Sequence, residues 1–256
     1  MAFLSSRHKF FGRTALSFSV DKALAENYAE YYEDDVNFTE WRRLGGIDKC
    51  ANVVRLCAGL THSNILEIGC GDGAILERLA FLGFGDRFTG LEISTSAVRK
   101  VREKNIPNCQ VRLFDGYELS FPDKMFDVAI LSHVLEHVEY PRRLIQDAAR
   151  VAKTVFVEVP LEDNWRMPRD FVFDRVGHIN FYNPRTIRCL IQSCGMAVMD
   201  ARLCHSTQPI YIFRKGKFRG VLSYWFKEIA LRAAPTLSTS AMTYHCSLIY
   251  KKLKDS

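Results

Sequence analysis

Between residues 64 and 160 short β-rich apolar runs alternate with helical stretches, and this alternation constrains the fold more than any other feature of the chain. The strand-like runs are "NILEIG" (64–69), "RFTGLEI" (87–93), "CQVRLFD" (109–115), "MFDVAILSH" (125–133) and "TVFVEVP" (154–160). Between them, "DGAILERLAFLG" (72–83) has helical periodicity and stops at Gly83. "STSAVRKVREKN" (94–105) has Ser94 as a cap, and "PRRLIQDAARVA" (141–152) starts on a proline. Repeated strand–helix units close as right-handed crossovers, which predicts a parallel sheet with helices on both faces. The strands are apolar almost throughout, as expected when both faces are covered.

Further along, "PRTIRCLIQSCG" (184–195) reads as a helix, while "MAVMDARL" (196–203) and "TYHCSLIYKKL" (243–253) read as strands. The expected fold is α/β, a doubly wound, seven-stranded, mostly parallel sheet. Residues 204–242 fit no simple strand–helix unit and form a C-terminal insertion. Residues 21–60 read as helical, with Gly45-Gly46 breaking the run and Asp48 starting the next helix. The expected organisation is an N-terminal helical cap (1–60) over a core (61–256).

A length of 256 residues suits one such domain with its accessory cap. No apolar stretch approaches the roughly 20 residues that span a bilayer. The eight cysteines contain no CxxC pair and several lie in apolar runs, which points to reduced buried thiols in a cytoplasmic protein. The formal charge of +6 is unevenly spread. Residues 1–20 carry +3, residues 214–256 carry +7, and the middle carries −4. An acidic core with basic ends argues against a nucleic-acid groove, although the ends are free to meet acidic lipid or an anionic substrate. The acid-free first 20 residues faintly resemble a transit peptide but lack a secretory apolar core.

The chemistry centres on Glu67-Ile68-Gly69-Cys70-Gly71-Asp72-Gly73, which closes the first strand and opens a helix. Glycines let the backbone turn sharply and approach a ligand that a Cβ would push away. Amides at the following helix N-terminus favour a negative group. Glu92 ends the second strand, where an acid holds ribose hydroxyls. Gly69, Gly71 and Ala74 also satisfy the loose dinucleotide spacing, so spacing alone leaves a nicotinamide cofactor open.

The longer segments decide between the two. "ILEIGCGDGAIL" resembles the first motif of class I S-adenosylmethionine-dependent methyltransferases, and "FTGLEIS" their acidic second motif. The stretch 111–160, including "SHVLEHV" before a proline-led helix, resembles the branch called type 11. The resemblance runs in order over about 60–205. It implies that S-adenosylmethionine is the cofactor, with Gly69, Gly71 and Gly73 around its methionyl part and Glu67 shaping the loop. It further implies Glu92 on the ribose, Ile93 over the adenine, Asp115 beside Gly116 at the adenine amino group, and Ser132 near the sulfonium.

Three histidines are candidate catalytic groups: His133, His137 and, foremost, His178, because a hydroxyl acceptor gains from a base near its working pH. The resemblance puts His178 after the fifth strand, where a histidine faces the acceptor; Phe181 and Tyr182 are possible pocket walls. His133 and His137, four apart, are able to share a helical face, but no third ligand is evident, so no metal is expected. Tyr28, Tyr31, Tyr32, Trp41 and Arg43 are candidates for a closing element. The segment 218–234, "FRGVLSYWFKEIALRAA", interleaves aromatics with Lys and Arg, so 214–234 offers a peripheral membrane contact. The expected activity is methyl transfer to an oxygen or nitrogen of a small-molecule acceptor: a sugar, a quinone-like compound or a lipid-linked one. RNA or protein methylation, and a non-catalytic cofactor-binding module, remain alternatives.

Overall fold

A computed structural model describes residues 36–116, 118–167 and 177–253. The elements in chain order are α1 (Val36–Cys57), β1 (Asn64–Ile68), α2 (Ala74–Phe81), β2 (Arg87–Glu92), α3 (Thr95–Glu103) and β3 (Cys109–Leu113). There follow β4 (Phe126–Ser132), α4 (Pro141–Val151), β5 (Ala152–Pro160), α5 (Pro184–Ser193) and β6 (Met196–Cys204). The insertion supplies α6 (Gln208–Lys215), α7 (Lys217–Ala233) and α8 (Pro235–Ala241) before β7 (His245–Lys252).

The seven strands form one sheet in the order β3-β2-β1-β4-β5-β7-β6. β1 to β5 are parallel, and β7 runs antiparallel to both β5 and β6. The expected doubly wound α/β architecture is therefore present. The strand order reverses between β1 and β4, and such a switch point opens a crevice beyond the carboxyl ends of the strands.

Local chemistry accounts for the elements. All seven residues of β4 are buried, as a central parallel strand requires. Ser94 caps α3 by accepting from the Ala97 amide at 3.3 Å. Asn183 caps α5 in a reciprocal box with Thr186, and Pro184 begins the helix. α4 buries Leu144, Ile145, Ala148, Ala149 and Val151 on one side and presents charge on the other. Each buried Leu or Ile there contributes about 1.5–3 kcal/mol.

One face of the sheet carries α4 and α5, and the other carries α1, α2 and α3. Cys50, Val53 and Cys57 of α1 pack with Ile65, Leu76, Val128, Phe156 and Ile249. The eight cysteines are free thiols.

The expected break at Gly45-Gly46 does not occur, and α1 continues through both glycines. A Cβ at Gly46 would stand 2.6 Å from the Ala74 Cβ and 3.1 Å from the Ala74 carbonyl carbon. Gly46 thus lets α1 cross directly over the start of α2, and tertiary contact outweighs poor helix propensity. Asp48 starts no helix either. It lies inside α1, and its carboxylate accepts from the Thr207 amide at 2.7 Å and the Thr207 hydroxyl at 2.5 Å, tying the insertion to α1. The expected helix at 21–35, with Tyr28, Tyr31 and Tyr32, lies outside the described residues, as does the basic segment 1–20. No helix among the described residues is long and apolar enough to cross a membrane.

Candidate active site

The turn between β1 and α2 is built on left-handed glycines, with φ of 72° at Gly69, 53° at Gly71 and 76° at Gly73. Residues with side chains rarely adopt this region, and a Cβ at Gly69 would also come 2.7 Å from a Val134 methyl. Gly73 is the N-cap of α2 without any side-chain cap, so the helix opens with amides facing the crevice. Arg42 of α1 lies 3.6 Å from Asp72, which holds α1 against this turn.

Glu92 reaches across from the end of β2. One of its oxygens accepts from the Gly71 amide at 2.7 Å, and the other from the amides of Ile93 at 2.8 Å and Ser94 at 3.0 Å. Burial pushes its carboxyl above the usual range, while those three N–H groups pull it back. Ile93 follows directly and is half-buried. Asp115, just past β3, is exposed and accepts from the Glu118 amide at 2.8 Å, and Gly116 beside it has φ 95°. Glu67 is buried in β1, with one carboxylate oxygen lacking a hydrogen-bond partner, and burial raises its pKa well above the ordinary value. The buried hydroxyl of Ser132, at the tip of β4, likewise has no partner. The residues expected at the cofactor therefore lie on one edge, around the switch point.

This edge suits a ligand with a carboxylate, a ribose and an adenine. The three glycines allow the left-handed turn after β1, and the Ser132 hydroxyl and a Glu67 oxygen are buried without partners on the same edge. Buried polar atoms of this kind normally find partners, which a bound ligand supplies. A cavity of about 510 Å³ lined by Val101, Asn105, Ile106 and Cys109 lies at the amino end of β3, on the opposite edge, and takes no part in this arrangement.

A second group of side chains sits beyond Ser132. His133 has φ 57°, an unusual conformation for a residue with a side chain, and the segment after it is a turn rather than a helix. Asn180 holds that turn by donating to the carbonyls of Leu135 at 3.0 Å and Val138 at 2.7 Å. His133 and His137 therefore do not share a helical face as expected. His133 Nδ1 is 3.1 Å from Glu136 and its Nε2 is 3.4 Å from Glu158. His137 Nδ1 meets the Gly177 carbonyl at 3.2 Å, and its ring lies 4.7 Å from that of His178. His178 Nδ1 is 2.6 Å from Glu162 Oε2.

Ligand-capable side chains from distant positions do stand near these histidines. His133 is grouped with Glu158 and His245, and His137 with Glu136 and His178, ligand atoms within each trio lying within 4.8 Å of one another. The partners come from β5, from the start of β7 and from the turn itself. Burial raises the Glu158 carboxyl, but His133, His245 and the Ser247 hydroxyl outweigh it and bring the pKa down to about 2. Burial keeps His137 below the usual imidazole value.

Glu136, Glu158, Glu162 and His245 were not singled out in the sequence. Glu158 had a signal there, as one acid in the apolar strand "TVFVEVP"; His245 had none, because its neighbours depend on how β7 inserts. Tyr182 is core rather than pocket wall, since it is buried and its hydroxyl donates to the Leu135 carbonyl at 3.1 Å. Trp41 is exposed, and Arg43 is exposed and pairs with Glu40 of its own helix at 2.7 Å.

The family model described as a methyltransferase domain matches residues 38–201, well over half of the chain. Among curated proteins, the chain is 30% identical over 148 residues to the 27-O-demethylrifamycin SV methyltransferase of Amycolatopsis mediterranei, covering 56% of this chain and 53% of that protein. It is 29% identical over 93 residues to the mitochondrial ubiquinone biosynthesis O-methyltransferase of Candida albicans, covering 34% of this chain and 28% of that one. The chain thus spans about half or less of the length of these two relatives. Among solved structures, a Thermotoga maritima S-adenosylmethionine-dependent methyltransferase, described as a possible histamine N-methyltransferase, superposes with a TM-score of 0.59 at 14% identity, covering 90% of this chain and 100% of that one. At that identity the superposition speaks for the fold. The matched family, the sheet order and the glycine turn agree: the chain belongs to the class I S-adenosylmethionine-dependent methyltransferases, and S-adenosylmethionine is its cofactor.

Proposed function

We propose that this enzyme transfers the methyl group to an oxygen, or a nitrogen, of a small-molecule acceptor, with His178 as the group that positions or deprotonates it. One observation carries this reading: the short His178–Glu162 contact, 2.6 Å long, beside His137 and beyond Ser132. A carboxylate on Nδ1 favours the Nδ1–H tautomer and raises the basicity of the ring. Two of the curated relatives bear names that put their methyl groups on oxygen, and a third, 31% identical over 98 residues, is a phosphatidylethanolamine N-methyltransferase, so both acceptor atoms stay within the reading.

In this reading Gly69, Gly71 and Gly73 hold the methionyl part, with Glu67 behind the turn. Glu92 holds the ribose, Ile93 covers the adenine, and Asp115 with Gly116 meets the adenine edge. Ser132 lines the sulfonium end, and His133 and His137 frame the acceptor. The cofactor supplies a methyl carbon already activated by the sulfonium. The residues orient the acceptor oxygen, exclude water, and accept its proton at His178 Nε2.

The insertion bears on the acceptor's origin. Phe218, Leu222, Trp225, Phe226 and Ile229 of α7 are exposed, at three-, four- and one-residue steps, with Arg214, Lys215, Lys217 and Arg219 nearby. Exposed apolar side chains beside basic ones suit an anionic lipid surface. This supports an acceptor with a lipid tail, such as a quinone precursor.

The test is release of S-adenosylhomocysteine from a panel of phenolic, sugar and amine acceptors, each with and without a lipid tail. His178→Ala is expected to lower kcat at least about a hundredfold, with cofactor affinity little changed. An unchanged kcat would make His178 structural, and turnover of RNA or protein alone would overturn the acceptor class.

A further inference from the structure

We propose that His133, Glu158 and His245 bind one divalent transition-metal ion of the zinc type at the carboxyl edge of the sheet. One ligand-capable atom from each residue lies within 4.8 Å of the others. His133 Nε2 and Glu158 Oε1 are 3.4 Å apart. A tetrahedral ion with ligand bonds near 2.1 Å separates its ligands by about 3.4 Å, so this pair already stands at coordination distance from a shared centre. Two imidazoles and one carboxylate are a common protein set for zinc, leaving a fourth position open.

The surroundings look built for ligation. His133 Nδ1 lies 3.1 Å from Glu136, which fixes the ring and turns Nε2 toward Glu158. Glu158 Oε2 accepts from Asn52 Nδ2 at 2.7 Å and from the Ser247 hydroxyl at 2.6 Å, which leaves Oε1 facing the histidines. Such outer partners orient metal ligands and raise their basicity. The register explains the convergence: Ser132 pairs with Glu158, and Pro160 pairs with His245, so the tips of β4 and β5 and the start of β7 meet.

Two further observations bear on this cluster. His133 Nε2 is buried, and its 3.4 Å contact with Glu158 is longer than a good hydrogen bond. His133 also keeps a left-handed backbone, φ 57°, a kind of strain that clusters at functional sites. Lys49 of α1 acts on both imidazoles. Against it stand two buried carboxylates, Glu136 and Glu158, whose charge a divalent ion would balance. The open position would face the edge at which the acceptor is expected, but ion binding is independent of the acceptor's identity.

Chelator-stripped full-length protein is titrated with Zn²⁺ by calorimetry and with Co²⁺ by visible absorption. The expected result is about one ion per chain, with Co²⁺ bands of nitrogen and oxygen ligation and no thiolate charge transfer. His245→Asn and Glu158→Gln should abolish this binding. Asn52→Ala should weaken it about tenfold or more, and His62→Asn should leave it unchanged. S-adenosylhomocysteine binding by each variant reports whether it folds. If these variants do not fold, His137→Asn decides: binding that survives there keeps the ion on His133, Glu158 and His245, and binding lost there moves it to the trio of His137, Glu136 and His178 and overturns the proposal. No ion bound by the wild type, a thiolate-type spectrum, or binding that survives in folded His245→Asn and Glu158→Gln would each overturn the proposal, leaving His133 as an imidazolium between two carboxylates.

Discussion

Replacing Glu92 by Gln tests how the cofactor edge is held together. The carboxylate receives three backbone N–H groups, one from the glycine turn and two from the chain after β2. Gln keeps the shape but turns one acceptor into a donor. The less damaging amide orientation points its nitrogen at the Gly71 amide, losing that bond and setting two donors face to face. A hydrogen bond to a charged group contributes about 1.5–3 kcal/mol, and a buried donor left unsatisfied costs about 1–3 kcal/mol. Burial of the charge, which Gln avoids, offsets part of this. The net expectation is a loss of about 2–4 kcal/mol, or roughly 5–12 °C in Tm for a domain of this size. Denaturant unfolding followed by circular dichroism measures the stability, and calorimetry measures S-adenosylhomocysteine affinity. Affinity should fall about tenfold or more, because ribose hydroxyls lose an acceptor. An unchanged unfolding midpoint would refute the turn-holding role. An unchanged affinity in a destabilised variant would refute the ribose role.

Neighbouring glycines in α1 should respond with opposite signs. Gly45→Ala, with nothing within 4 Å of the added methyl, should stabilise by about 0.5–1 kcal/mol. Gly46→Ala, which meets Ala74, should destabilise by about 1–2 kcal/mol, and paired melting curves decide the matter. Burial, with Lys215, Arg166 and Arg214 nearby, lowers Lys227 to about 8. Between about 8 and its unfolded value the unfolded chain binds more protons, so stability should rise with pH across that window. Lys227→Met should flatten this rise; an unaltered pH profile would count against the burial reading. Changing Phe218, Leu222, Trp225 and Phe226 together to Ser should abolish co-sedimentation with phosphatidylglycerol vesicles and leave the melting temperature within a few degrees. Equal sedimentation of both proteins would remove α7 from any lipid surface.

The fold was legible because the central parallel strands β1, β4 and β5 announce themselves locally as buried apolar runs, while the edge strand β3, with no buried residue, was read from its place in the alternation. The positions of Gly69 to Gly73, Glu92, Asp115 and Ser132 were legible for the same reason, since all lie at or just past strand ends whose places are written in sequence. What sequence reasoning lost depends on tertiary neighbours. Gly45-Gly46 has the composition of a break, yet α1 runs through both, and the passage over Ala74 requires the second of them. His133 and His137 have helical spacing, yet Asn180, more than forty residues later, holds their segment as a turn. The acids facing the histidines come from β5, the segment after it and the turn itself, and the third histidine from β7. No local pattern joins these positions.

β7 is the last strand in sequence and lies inside the sheet, between β5 and β6. During synthesis β5 therefore waits with an open edge, and β6 with no neighbour, until residues 245–252 have left the ribosome. Cofactor-edge groups on β1 to β4 are able to assemble earlier than the histidine–glutamate cluster, which is completed only when His245 docks. A nascent chain stalled before that point would expose a strand edge open to pairing with other chains, so the late slot of β7 makes the closing of β5 and β6 the step of folding most open to aggregation.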